Sequence, residues 1–203
     1  MKKIVFIFFL LIINRVYCQS SEDAKKLLDD VSEKISLFEN ISFDFTYSLN
    51  NKEEQIKYET MGNVTVSGEK YKLNYLGSIQ LFDGEKIYTI IPENEEITIN
   101  TNDNENEINI NPSKLLTFYK SGYNYFLDIK QKHLEKSIQF VKLIPIDTSS
   151  DLNYLLLGID INTKNIFRLI EIGKNETITT LTINNQKTNL KLEQSFFTIN
   201  LED

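Results

Sequence analysis

Residues 41–49 read Ile41-Ser42-Phe43-Asp44-Phe45-Thr46-Tyr47-Ser48-Leu49: every odd position is apolar or aromatic, and every even position is polar. In an extended chain, successive side chains point to opposite faces, so this period of two marks a half-buried antiparallel strand with one dry and one wet face. Slipping its register by one residue would turn Phe43, Phe45 and Tyr47 into water. The strand therefore dictates which side of its sheet is dry.

Just upstream the period is helical. Ala24, Leu27, Leu28, Val31, Ile35 and Phe38 recur at steps of three and four, which predicts an amphipathic helix over about 21–38. Ser20 is placed to cap it, with Asp23 in the capping-box position at the positive end of the helix dipole.

Downstream, Ile56/Tyr58, Val64/Val66 and Tyr71/Leu73/Tyr75 repeat the alternation, and Gly62, Gly68 and Gly77 supply bends or bulges. Asp83-Gly84 is a type I′ hairpin signal joining 79–82 to 87–91. Ile97/Ile99 and Ile108/Ile110 continue as short strands around an acidic turn. Asn111-Pro112-Ser113-Lys114-Leu115-Leu116-Thr117-Phe118-Tyr119-Lys120-Ser121-Gly122 then interrupts the β pattern, with Asn as cap, Pro at the first helical position and Gly as stop. Further strands are expected at 124–130, 138–145, 152–161, 166–172 and 177–184, and a last one at Phe196-Phe197-Thr198-Ile199. The fold class is mostly β (α+β): an incomplete antiparallel β-barrel of about 10–11 strands, with an N-terminal helix and a short inserted lid helix.

The first 18 residues stand apart from this fold. Met1-Lys2-Lys3 is basic, Ile4 to Ile13 is an unbroken apolar run, and Asn14-Arg15-Val16-Tyr17-Cys18-Gln19 is a polar exit, the three parts of a secretory signal peptide. Ten apolar residues are too few to span a bilayer, which takes roughly 20. Cleavage is expected after Cys18, leaving 19–203 as one domain. A lipid anchor on Cys18 is the competing reading, but Tyr17 stands where lipoprotein signals carry a small residue. Removing the leader takes away Lys2, Lys3 and Arg15 and no acid, so the mature chain is more acidic still and has no Cys.

Composition narrows the function. The 203 residues carry 22 Lys+Arg against 29 Asp+Glu, a net charge of -7, which disfavours nucleic acid and anionic membrane surfaces. With one His and one Cys, neither a metal cluster nor a Cys/His or Ser/His catalytic centre can be assembled around anything but His133, a solvated position in Gln131-Lys132-His133-Leu134-Glu135. No catalytic residue, metal or cofactor is expected. The acids Glu93, Glu95, Glu96, Asp103, Glu105 and Glu107 read as a solvated edge that resists aggregation, with a docking patch or weak cation site as the alternative. Against this sparse inventory stand 13 Phe and 10 Tyr.

Those rings have two possible destinations: a closed core against the first helix, or the wall of an apolar cavity of the kind in which half-barrels hold lipid. The candidate lipid-binding residues are Phe43, Phe45, Tyr47, Tyr58, Val64, Val66, Tyr71, Leu73 and Tyr75 on the strands, with Leu115, Leu116, Phe118 and Tyr119 on the inserted lid.

The order of a leader, a helix, Phe43-Asp44-Phe45-Thr46, Gly62-Asn63-Val64-Thr65-Val66, Lys70-Tyr71-Lys72-Leu73-Asn74-Tyr75, Phe82-Asp83-Gly84 and an Asn-Pro-Ser-Lys-Leu-Leu segment resembles the outer-membrane lipoprotein carrier protein (LolA) family, in the form found in Bacteroidota. The resemblance implies a half-barrel with a hydrophobic cavity and a monomeric periplasmic shuttle. Such a shuttle takes acylated lipoproteins from an inner-membrane lipoprotein-releasing ABC transporter and gives them to the outer membrane or a receptor there. A lipoprotein sensor of the same fold is the alternative. One feature departs from many proteobacterial members, whose Arg-Pro after the second of these strands latches the lid. Here that stretch is Val66-Ser67-Gly68-Glu69-Lys70, and the mature chain's only Arg is Arg168.

Overall fold

In the computed structural model, which describes residues 20–101 and 112–199, the alternating segment at 41–49 is the hinge of the architecture. It belongs to β1 (Ile41–Asn51), which pairs on one side with β2 (Ile56–Ser67) and on the other with β11 (Ile178–Thr188). From β1 the chain meanders through β2, β3 (Lys70–Tyr75), β4 (Ser78–Phe82) and β5 (Lys86–Ile91) to β6 (Glu96–Thr101). A second meander runs through β7 (Tyr123–His133), β8 (Lys136–Pro145), β9 (Leu152–Asp160) and β10 (Ile166–Gly173) to β11. The result is one antiparallel sheet in the order β6-β5-β4-β3-β2-β1-β11-β10-β9-β8-β7. Its edges β6 and β7 do not pair, so the barrel stays open.

The helix α1, at 20–36, lies against the inner face of this sheet. Ala24, Leu28 and Val31 are buried in one cluster with Ile41, Phe43, Val66, Tyr71 and Leu157, as the helical spacing requires. Ser20 accepts a hydrogen bond from the Leu127 amide at 3.1 Å, tying the first turn to β7. A smaller cluster of Ile138, Phe140 and Phe167, flanked by Leu156 and Ile170, occupies the outer face of β8, β9 and β10. Among the described residues no helix is long and apolar enough to cross a membrane.

Four sequence expectations are corrected. Ile56/Tyr58 and Val64/Val66 belong to one long strand, because Gly62 is a site of close approach and not a break. Asp83-Gly84 does join the expected strands, but not through a type I′ turn, which needs positive φ at both central residues; only Gly84 has it, at φ 106. The loop is instead closed by the Asp83 carboxylate, which accepts from the amides of Glu85 and Lys86 at 2.8 Å each and from the Tyr88 hydroxyl at 3.1 Å. Burial alone would raise that carboxyl; these three donors hold it below the ordinary carboxylate value.

The inserted lid helix is not a continuous helix but two 3-10 turns, Lys114–Leu116 and Phe118–Lys120, interrupted at Thr117 with φ -136 and ψ -12. The branched Thr117 side chain turns its hydroxyl back to the Lys114 carbonyl instead of propagating a helix. Finally, Phe196-Phe197-Thr198-Ile199 is not a strand. Every ladder position beside β1 is already taken, and the Asn40 side-chain amide clamps the chain as it leaves β11, its Nδ2 donating to the Leu190 carbonyl and its Oδ1 accepting from the Leu190 amide. The segment turns over the outer face, where the Lys72 ammonium lies 5.3 Å from the Phe196 ring. The expected strand at Ile108/Ile110, the cap at Asn111 and the leader fall outside the described residues.

Gly62 generates a direct test. A Cβ there would stand 2.4 Å from Cζ of Phe45 and 2.6 Å from the Asn74 carbonyl oxygen, and the second atom is backbone that cannot swing aside. Gly62→Ala is expected to cost about 1–3 kcal/mol in urea unfolding. Wild-type stability in that variant would mean that β3 is free to move away from β2.

Candidate functional site

The inner rings of β1 change character along the strand. Phe43 is 2% exposed and Phe45 7%, while Tyr47 is only half-buried. Helix α1 covers the Phe43 end, and beyond it the inner face opens into an apolar cavity of about 340 Å³. β1 contributes Phe43, Phe45 and Tyr47, β2 contributes Val64, and β3 contributes Leu73 and Tyr75. Opposite them stand Leu169 and Glu171 of β10, Thr179 and Leu181 of β11, and Pro112 with Leu115 ahead of and within the first 3-10 turn.

Register explains why these side chains converge. Phe45 is opposite Gly62 on β2 and Ile183 on β11, and Tyr47 is opposite Leu181. The missing side chain at Gly62 leaves room for the Phe45 ring to reach Tyr75, with centroids 5.8 Å apart. Tyr75 in turn meets Tyr47 edge to face at 6.0 Å. Such tilted and T-shaped pairs are favoured by the ring quadrupoles. Burial raises the Tyr75 phenol above its ordinary value, with smaller contributions from Tyr47 and Tyr58. The β1 and β3 side of the wall is therefore aromatic surface.

Seven of the residues chosen from sequence line this cavity: Phe43, Phe45, Tyr47, Val64, Leu73, Tyr75 and Leu115. Six do not. Tyr58 shares the inner face with Gly62 and Val64 but lies beyond the cavity, 40% exposed, near the start of β2. Val66 and Tyr71 are core beneath the helix, and the Tyr71 hydroxyl donates to Gln80 while burial pushes it up to about 12. Leu116 and Tyr119 are likewise buried in the core, where the Tyr119 hydroxyl accepts a hydrogen bond from Ser32 at 3.2 Å. Phe118 meets Tyr119 and Tyr123 edge to face. The 3-10 segment is thus an anchored wall, with Leu115 facing the cavity and Leu116 facing the helix.

Sequence reasoning missed Leu169, Glu171, Thr179, Leu181 and Pro112. Ile166-Phe167-Arg168-Leu169-Ile170-Glu171-Ile172 is apolar on both faces, so alternation does not sort it, but a lone acid in such a strand is a signal. Burial raises the Glu171 carboxyl above the ordinary glutamate value. Its charge also reaches Tyr123, whose phenol is raised by burial first, then by Glu171 and Tyr125.

The other candidates lie elsewhere. His133 ends β7, exposed, with its ring 5.0 Å from that of Phe167 on the outer face. Arg168 also points outward: its guanidinium is 5.0 Å from the Phe167 ring and its Nε donates to Thr182 at 3.0 Å. It therefore cannot latch a cavity lined by the neighbouring Leu169. Glu93, Glu95 and Glu96 are exposed beside the edge strand β6, and Asp103, Glu105 and Glu107 fall outside the described residues.

No family model and no curated protein matches the chain. Among solved structures, it is similar to an uncharacterized conserved protein from Thermus thermophilus, with a TM-score of 0.56 and 11% identity over 89% of this chain and 96% of that one. LprF from Mycobacterium bovis aligns with a TM-score of 0.54 and 12% identity, over 86% of this chain and 98% of its own. A LolA superfamily protein from Nitrosomonas europaea aligns with a TM-score of 0.45 and 10% identity, over 87% and 97% of the two chains. LolA-superfamily proteins are among the structural neighbours. At such low identities the likeness is one of fold, an open antiparallel sheet around a helix, as expected from the strand pattern.

The buried carboxyl in this cavity makes stability depend on pH. Because its folded-state value is raised, the folded protein keeps the Glu171 proton where the unfolded chain has lost it, so stability falls as pH rises through that interval. Glu171→Gln should gain in melting temperature relative to wild type as pH goes from about 4 to about 8. A constant difference across the series would mean that the carboxylate is fully solvated.

Proposed function

We propose that this chain is a periplasmic carrier that holds the acyl chains of lipoproteins in its cavity and shuttles them from the inner to the outer membrane. The observation that carries this reading is the apolar cavity of about 340 Å³, walled by rings from β1 and β3 on the inner face of an open sheet. It falls within the range of roughly 300–1,000 Å³ usual for ligand pockets. A pocket near the lower end of that range suits a single acyl chain.

Physical chemistry supplies the need. Each methylene left in water costs about 0.8 kcal/mol, so two or three chains of roughly sixteen carbons cost tens of kcal/mol. Free transfer across an aqueous compartment is negligible on those terms. A carrier must match the dryness of a bilayer yet release its cargo, which suits broad contacts to Phe43, Phe45, Tyr47, Val64, Leu73, Tyr75 and Leu115. Taking more than one chain requires the sheet to widen, and the unpaired edges β6 and β7 leave it free to do so. The leader at 1–18 delivers the chain to the compartment, an inner-membrane ABC transporter loads it, and the outer membrane or a receptor there unloads it. The reaction needs no cofactor and no covalent step.

Residues 19–203 purified without the leader should bind a triacylated peptide carrying a fluorescent label. Phe45→Glu and Leu115→Glu should each weaken binding at least tenfold, about 1.4 kcal/mol. Met61→Glu, on a side chain 75% exposed, should not. Equal affinity in all three would sink the proposal. In the native host, depletion should strand lipoproteins at the inner membrane, whereas unchanged lipoprotein location would favour the sensor.

A further inference from the structure

The cavity wall holds one group that an acyl chain does not explain. Glu171 lies on β10 between Leu155 of β9 and Thr179 of β11, on the same face as Leu169. Its ladder neighbours are Leu155 and Thr179, its charge reaches the Tyr123 phenol, and it shares the cavity lining with Tyr47, Tyr75 and hydrocarbon; no Lys, Arg or His lines the cavity among the described residues. The ion pairs of Lys25 with Asp29 within α1, and of Lys164 in the β9–β10 turn with Asp30 of α1, involve neither Glu171 nor the cavity. A carboxylate placed in an apolar wall without a cationic partner is costly, and replacing it by an apolar residue would make a better container for hydrocarbon alone.

Its chemistry names what would compensate. Once ionised, the carboxyl only accepts hydrogen bonds; the strongest donors to it are charge-assisted N–H groups, and a cationic one beside it favours the ionised form that burial opposes. An anionic head placed beside it would be repelled with little solvent screening. An acylated peptide carries N–H donors directly next to its chain, whereas a free fatty acid carries a second carboxylate there.

We infer that Glu171 is a specificity-determining residue of the cavity, accepting an N–H or ammonium donor at the head of the bound amphiphile and rejecting ligands whose head is anionic. This rests on the carrier reading above and adds the chemical class of head group to it. Glu171 would then sort acylated amines and peptides from free fatty acids and acidic lipids of equal chain length.

Dodecylammonium and dodecanoate test the selectivity, because they share a chain and differ in head. Each is titrated into the protein against bound pyrene, a neutral apolar probe, at neutral pH. Wild type should bind the ammonium at least tenfold more tightly, and Glu171→Gln should bring the two affinities to within about threefold. Thr179→Lys places a cation opposite the carboxylate on the neighbouring strand and should also erase the preference, which decides the matter if Glu171→Gln does not fold. A wild-type protein that takes up pyrene but prefers neither head, or a preference that survives in the folded variants, overturns the inference and leaves the carrier reading intact. Failure of wild type to take up pyrene or either amphiphile overturns both.

Discussion

The structure depends on a mismatch of cover. Eleven strands spaced ~4.8 Å apart would make a flat sheet about 50 Å wide, whereas α1 at 20–36 is a rod of about 25 Å by 10 Å. One such helix can dry only part of the inner face. The sheet must therefore curl around it, and whatever the curl and the helix leave over becomes either well-packed core or enclosed space. Both outcomes occur in this protein, and the boundary between them crosses β1 near Phe45. On the helix side, Phe43, Val66, Tyr71 and Val31 are buried in one cluster; on the other side, Tyr47, Tyr75 and Leu181 face the cavity.

This boundary explains what could be read from the sequence and what could not. Alternation is a property of one strand, so Phe43, Phe45 and Tyr47 announce the inner face without help from any other segment. Depth along the strand is a property of the assembly. Val66 and Tyr71 follow the same alternation as Val64 and Leu73, and differ from them only in lying beneath the helix. The strands opposite were harder for another reason. β10 buries Phe167 in an outer cluster with Ile138 and Phe140 and buries Leu169 inside, so both of its faces are apolar and no period emerges. A strand apolar on both faces reads as core, which hid Glu171, whereas on β11 threonines fall on both faces, at Thr179, Thr180 and Thr182, and leave Leu181 without a clear alternation. The inserted segment failed as an α-helix because it serves two environments at once, with Leu116 and Tyr119 packed toward α1 and Leu115 turned to the cavity.

That division of the inserted segment bears on how the cavity opens. A lid hinged as one rigid helix would have to withdraw Leu116 and Tyr119 from full burial, and removing a large buried side chain from its contacts costs several kcal/mol. The Ser32–Tyr119 hydrogen bond would be lost as well. Separating the two sheet edges breaks no ladder, because β6 and β7 are not paired with each other. The energetically easier motion is a widening between the meanders β1–β6 and β7–β11, pivoting on the long β1–β11 ladder, with the 3-10 segment held against the helix. Arg168, turned to the outer face, takes no part in it. Access to the cavity is then controlled by the curvature of the sheet, and the aromatic rows on β1 and β3 remain in place whether it is wide or narrow.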